Sequence, residues 1–482
     1  MININSFIKQ LTYYFPSQIY PSIMNLIIIM ILARELTLGD FGNYNLFITV
    51  VSFGCTIVTQ WFIQSILFYR PQYEKENRIR EFNFHYNKGI FYLFIFFIVI
   101  AIIMSGLYIC NIKMNYSFII LFSIFVQSIF NLEQVILQSK LDYKKYALKS
   151  FLVTTIRFLL IIFIIYFIGP NVELILIAIA ISYFLFILNK VKEYLMKEKL
   201  ELSESTKVFY IKMLVYGTPL LGWFLCTSFM HLSDRILIKF FHDTEEMALY
   251  SGNYSIISAG LGLIFVPLNT VLQPIIMKKA AENTFKVEEL ESLLKKMTTI
   301  YLIIGIPAIL LIDSLKEEIV FLLLGEKYVV GSGIITYLMI GMLLWSISMI
   351  GQKGMEINKQ TNKMFYFILI ITIANFFVNV ILVRYWSYLG AALGNLIAFS
   401  LYCVLVYWNS KKNIKWLFDW KAVTILLLTV IPLIYGINFI TEFLLKDFNS
   451  FIIILANSVV FLSIYSGLIY LLLKYKKINI KF

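Results

Sequence analysis

Residues 89–110 read GIFYLFIFFIVIAIIMSGLYIC, a run of 22 residues with no charge. A helix rises about 1.5 Å per residue, so about 20 such residues cross a hydrocarbon core about 30 Å thick. Before this run, residues 70–88 hold Arg70, Lys75, Arg78, Arg80 and Lys88; after it, up to 115, stands only Lys113. The same contrast repeats outward in both directions. Apolar runs of crossing length lie near 12–32, 43–68, 89–110, 116–138, 149–168, 171–189, 211–232, 249–272, 297–315, 331–352, 364–383, 388–408, 422–440 and 451–473. Every second connection is basic, and together these connections carry 32 of the 41 Lys and Arg residues. Cytoplasmic loops hold such an excess, so the parity predicts an even number of crossings with both termini cytoplasmic. The first run is too long for the core of a cleaved leader and reads as a retained span.

Composition agrees. Mean hydropathy is +0.82 and charged residues make up 14%, against about a quarter in soluble domains. The net charge of +13 raises the question of nucleic acid, but its distribution excludes that partner. Cytoplasmic connections hold 32 basic and 14 acidic residues, external ones 8 and 13. This is a topology signal, with some affinity of the inner loops for anionic membrane lipids. Cys55, Cys110, Cys226 and Cys403 fall on four different spans without disulfide or metal spacing. No connection exceeds about 20 residues, and no phosphate-binding Gly-rich loop, metalloprotease motif or nucleophile elbow occurs. The chain therefore reads as a transporter, with no enzyme activity and no cofactor.

Spans 1 and 7 resemble each other. Each begins near a proline, Pro16 and Pro219, each is followed by an external arginine, Arg34 and Arg235, and each precedes a Gly-Asn-Tyr, at 42–44 and 252–254. A six-span unit repeated in one orientation follows, an arrangement found in secondary transporters. The expected fold is an all-α polytopic integral membrane protein of about 14 transmembrane helices. It forms two six-helix lobes, 1–200 and 201–415, plus two C-terminal helices and a cytoplasmic tail, 416–482.

A span that lines a wet path carries a polar stripe at helical spacing. Span 4 has one in Ser123, Gln127, Asn131, Gln134 and Gln138, within about 40° of a common line. Span 1 offers Asn25 and span 11 offers Asn375 and Asn379, whereas spans 3 and 6 are almost uniformly apolar and should sit outside. The competing reading is that these amides only join helices. Arg157 enters span 5 about 13 Å deep, near the midplane, where an arginine costs at least about 2.5 kcal/mol and needs protein or water around it. Glu133, the other charge inside a span, is a partner for Arg157 or a proton-coupling carboxylate. Asp234 is a second coupling candidate, though as a charge near a span end it also reads as ordinary.

Residues 33–44, ARELTLGDFGNY, resemble the first external loop of the polysaccharide-transport branch of the MOP exporter superfamily, the Wzx-type flippases of O-antigen and capsule repeat units. Tyr216-Gly217-Thr218-Pro219-Leu220, Ser233-Asp234-Arg235 and Ala248-Leu249-Tyr250 resemble its seventh span and exit. Leu324-Gly325-Glu326-Lys327-Tyr328 is similar to its loop before span 10, and Asn375 to Asn379 with Gly390-Ala391-Ala392 to spans 11 and 12. Ala248 departs from the family's usual glycine. The resemblance implies a carrier of lipid-linked oligosaccharide, on undecaprenyl pyrophosphate, from the inner to the outer leaflet of the bacterial inner membrane by alternating access. Arg157 would meet the head or glycan, with Gln127, Asn131, Gln134, Asn25, Asn375 and Asn379 as further substrate-binding residues. The resemblance also implies coupling to protons or sodium, and association with a polysaccharide polymerase and chain-length regulator. A multidrug or other lipid exporter of the same superfamily is the alternative, and a membrane polysaccharide polymerase a more remote one.

Overall fold

The computed structural model describes residues 4–109, 116–140, 142–196, 204–260, 287–358, 360–411, 414–445 and 448–474. All regular structure among them is helical. The first half holds α1 (Ile4–Glu35), α2 (Leu38–Lys75), α3 (Ile79–Ile109), α4 (Ser117–Ser139), α5 (Tyr143–Phe163), α6 (Val172–Met196) and α7 (Glu204–Phe241). The second holds α8 (244–260), α9 (Val287–Ser314), α10 (Lys316–Leu324), α11 (Ile334–Gly351), α12 (Lys353–Ile357), α13 (Thr361–Ser410), α14 (Trp420–Leu445) and α15 (Ser450–Lys474).

Ten of these stretches are long and apolar enough to cross a membrane. The chain is a multi-pass membrane protein. α13, 50 residues long, contains both spans expected at 364–383 and 388–408. The expected spans 1 and 6 fall on α1 and α6, and span 8 on α8 as far as residue 260, the rest of it lying outside the described residues. The all-α, multi-pass class is thus as the hydropathy predicts.

Local signals explain the boundaries. The Thr37 hydroxyl accepts the Asp40 backbone N–H at 3.1 Å and opens α2; the Asp142 carboxylate accepts that of Lys145 at 3.3 Å and opens α5. That bond, with the Lys145 ammonium beside it, holds the Asp142 carboxyl below its usual range. A π-helical turn at Ile164–Ile168 ends α5, and Gly169 follows at φ +113°, a conformation a side chain would resist.

Contacts divide the chain into two units, residues 1–28 with 35–233, and 29–34 with 234–482. In the first, α4 packs between α2 and α6, and α5 lies on α6. Phe62, Ile66, Phe82, Ile129, Phe130, Val153, Ala180 and Phe209 fill the space between. α2 and α7 approach so closely that a Cβ on Gly217 would meet the Trp61 carbonyl, and Ser65 Oγ donates to Met213 O at 2.7 Å. Small residues and hydroxyls join helices where burial gives no driving force between them. α3 exposes Phe96, Val99, Ile102 and Ile103, as an outer helix should. α6 corrects the expectation: it packs on α4 and α5 and exposes Ile177, Ile181 and Leu185 along a single face. Its small Ala178 and Ala180 permit that close packing, a feature that uniform hydropathy conceals.

In the second unit α11 lies between α9 and α13, while α14 rests on α9 and pairs with α15. α13 reverses at Ser387 (φ 47°), where Gly390 sits against the Leu382 backbone and His242 Nε2 lies 2.8 Å from the carbonyl oxygen of Val383. The segment leading to α14 packs Trp416, 1% exposed, where a Cβ on Gly351 would meet its indole, and Trp416 Nε1 donates to Thr298 Oγ1 at 2.8 Å.

Candidate functional site

Among the described residues, sequence-predicted site residues gather in two polar clusters inside the spans, one in each unit. The first surrounds Arg157, half-buried midway along α5. Its Nη1 donates to Asn25 Oδ1 of α1 at 3.4 Å, and its guanidinium lies 4.7 Å from the ring centre of Tyr183 on α6. Nε is buried with no hydrogen-bond partner. α1 is held beside α5 by Tyr20 OH and Thr155 Oγ1, 2.8 Å apart, and by the Tyr20 and Phe151 rings. One aromatic face and one amide leave most of the fork's five donors available, which suits a charge-assisted contact to phosphate oxygens.

The stripe on α4 divides. Gln134 is buried and donates through Nε2 to Ser150 Oγ at 3.2 Å, while its Oε1 has no partner. Gln127 and Asn131 are half-buried and bond to nothing among the described residues. Glu133, 8% exposed, pairs with Lys149 of α5 at 3.5 Å.

The second cluster centres on Asp234, fully buried on α7. Asn379 Nδ2 donates to its Oδ1 at 2.7 Å; Asn395 Nδ2 at 2.7 Å and Tyr250 OH at 2.8 Å donate to Oδ2. Asn379 also donates to Asn375 Oδ1 at 3.4 Å. A straight helix would separate Asn379 from Asn395 by about 24 Å, so only the reversal of α13 at Ser387 brings both to one carboxylate. Gly394 is required there, because a Cβ would meet Asn379 Oδ1. The Arg235 guanidinium lies 5.3 Å from the Tyr254 ring centre and 5.9 Å from that of Tyr250. Buried carboxylates cost several kcal/mol unless paired or hydrogen-bonded, and three donors serve this one. Asn379 Oδ1 and Asn395 Oδ1 are buried without donors, which leaves oxygen ligands beside an anion.

Of the sequence-predicted residues, Arg157 and Asn25 meet in the first cluster, and Asp234, Asn375 and Asn379 in the second. Asn395 and Tyr250 were not singled out as site residues. Asn395 is a lone amide in an apolar stretch, and its one signal was the Gly390-Ala391-Ala392 turn before it.

The model of the polysaccharide biosynthesis protein family matches residues 31–333, more than half of the chain. The chain belongs to that family. No individual curated protein matches it by sequence. Among solved structures, this family member is similar to the lipid II flippase MurJ in an inward closed conformation, at 15% identity and a TM-score of 0.74, covering 94% of this chain and 98% of the other. It is also similar to a multidrug resistance MATE family transporter of the MOP superfamily in its inward-facing conformation, at 16% identity and a TM-score of 0.60, over 83% and 94%. These likenesses show the fold: a polysaccharide biosynthesis family member built as MOP-superfamily transporters are.

Proposed function

We propose that this protein flips an undecaprenyl-pyrophosphate-linked oligosaccharide from the cytoplasmic to the external leaflet of a bacterial inner membrane by alternating access, for O-antigen or capsule assembly. Both termini then face the cytoplasm, and a polymerase and chain-length regulator receive the product. The observation that carries the reading is Arg157: half-exposed at mid-span, over a tyrosine face, with Nε unpartnered. A cation so placed suits an anionic head on an apolar tail. A cationic-drug exporter would need an accessible acid, whereas Asp234 is enclosed by its own donors.

Asp234 takes the coupling role in this proposal, binding a proton or sodium ion among carboxylate and amide oxygens. The test is translocation of lipid-linked glycan by purified protein in liposomes. Arg157→Ala is expected to abolish it with normal membrane insertion, and Arg157→Lys to keep part of it, since charge outweighs fork geometry for a diffuse anion. Full activity of Arg157→Ala overturns the reading.

A further inference from the structure

The Lys149–Glu133 pair lies outside the cluster at Arg157. Its N–O distance is 3.5 Å, with side chains 26% and 11% exposed. Strong ammonium–carboxylate bonds close to about 2.7–2.9 Å; this one is loose and within reach from outside. Nor is it needed for register. α4 and α5 are joined by residues 140–142 alone, and Gln134 already bonds Ser150 across them.

Depth gives the pair its meaning. In the proposed orientation Lys149 stands where the span on α5 begins, at the cytoplasmic side, level with the phosphates of the inner leaflet. Arg157 is eight residues further, about 12 Å deeper and about a quarter-turn round the helix. Between them lie Ser150, Thr154 and the unpartnered Oε1 of Gln134, which suit hydroxyl-bearing cargo. A lipid head that reaches Arg157 must first leave the interface beside Lys149.

We infer that Lys149 is the first cationic contact of the diphosphate head and that Glu133 holds its place until the lipid arrives. The inference rests on the diphosphate reading above. A diphosphate carries more charge than one carboxylate and displaces it; the single phosphate charge of a bulk phospholipid does not. The pair is thus a specificity filter that rejects ordinary lipids by requiring them to break an existing ion pair.

The test uses the full chain in nanodiscs, titrated with farnesyl diphosphate, the singly charged diester farnesyl methyl phosphate, and farnesol. Lys149→Gln is expected to weaken diphosphate binding about tenfold, the equivalent of one charge-assisted bond. Glu133→Gln is expected to tighten it and to admit the singly charged diester. The double variant, which leaves no uncompensated charge, should melt as the native protein does and bind as weakly as Lys149→Gln. Weaker binding by Glu133→Gln, or native binding by the double variant, overturns the filter. If both positions prove neutral while Arg157→Gln still stops translocation, the filter alone falls. If the native protein fails to distinguish farnesyl diphosphate from farnesol, the diphosphate reading falls and the filter with it.

Discussion

Gly394 has no side chain because the Asn379 amide occupies the space one would fill. Gly394→Ala must turn that amide away from Asp234, removing a hydrogen bond to a charged group worth about 1.5–3 kcal/mol. The expected outcome is a protein that inserts normally, loses its response to an imposed ion gradient and melts earlier, and Asp234→Asn should lose the gradient response likewise. Gradient-driven flipping at native rates in Gly394→Ala would show that the amide's position does not matter. The residues of this cluster were only partly legible in the sequence. Asn375 and Asn379 share a helical face and stood out, whereas Asn395 needs the reversal at Ser387 to reach them. Lys149 read as one more charge of a basic loop, and nothing in spacing alone turns Glu133 toward it rather than toward Arg157.

Among elements, the segment between α13 and α14 shows how the last two spans attach. Lys415 N–H donates to Glu291 Oε1 at 2.8 Å, Lys295 lies 3.6 Å from Asp419, and Trp416 fills the notch at Gly351. Trp416→Ala should cost about 3–5 kcal/mol, the usual result of emptying a buried aromatic site. Trp420→Ala, at a side chain 66% exposed, should cost little. Thermal unfolding in detergent compares the two, and equal melting shifts would refute the anchoring role. Hydropathy located the spans that this segment joins because chain length and burial in lipid dictate them. The short α10 and α12 were not foreseen, being too brief to leave a periodic signal.

For the molecule as a whole, orientation rests on the loop charges. Reporters fused after residues 75, 195 or 285 should read cytoplasmic and those near 243 or 327 external; a cytoplasmic reading at 243 would break the expected parity. Charge asymmetry was legible in sequence because it is a property of composition. Which helices lie against which was not, as α6 illustrates.

The count of carboxylates at Asp234 has an energetic consequence. Among the described residues hydrogen-bonded there, Asp234 is the one carboxylate, with the Arg235 guanidinium nearby. On the proposed coupling, one monovalent cation occupies that carboxylate, and its return carries a single positive charge to the cytoplasm in each cycle. At 100 mV that step releases about 2.3 kcal/mol. With about 1.4 kcal/mol per factor of ten, that cation's electrical step alone sustains a leaflet imbalance of about fiftyfold, to which the outward passage of the anionic head adds. Such a stoichiometry suits a cargo drawn off continually by polymerisation, since steady consumption outside spares the carrier from working against a steep gradient.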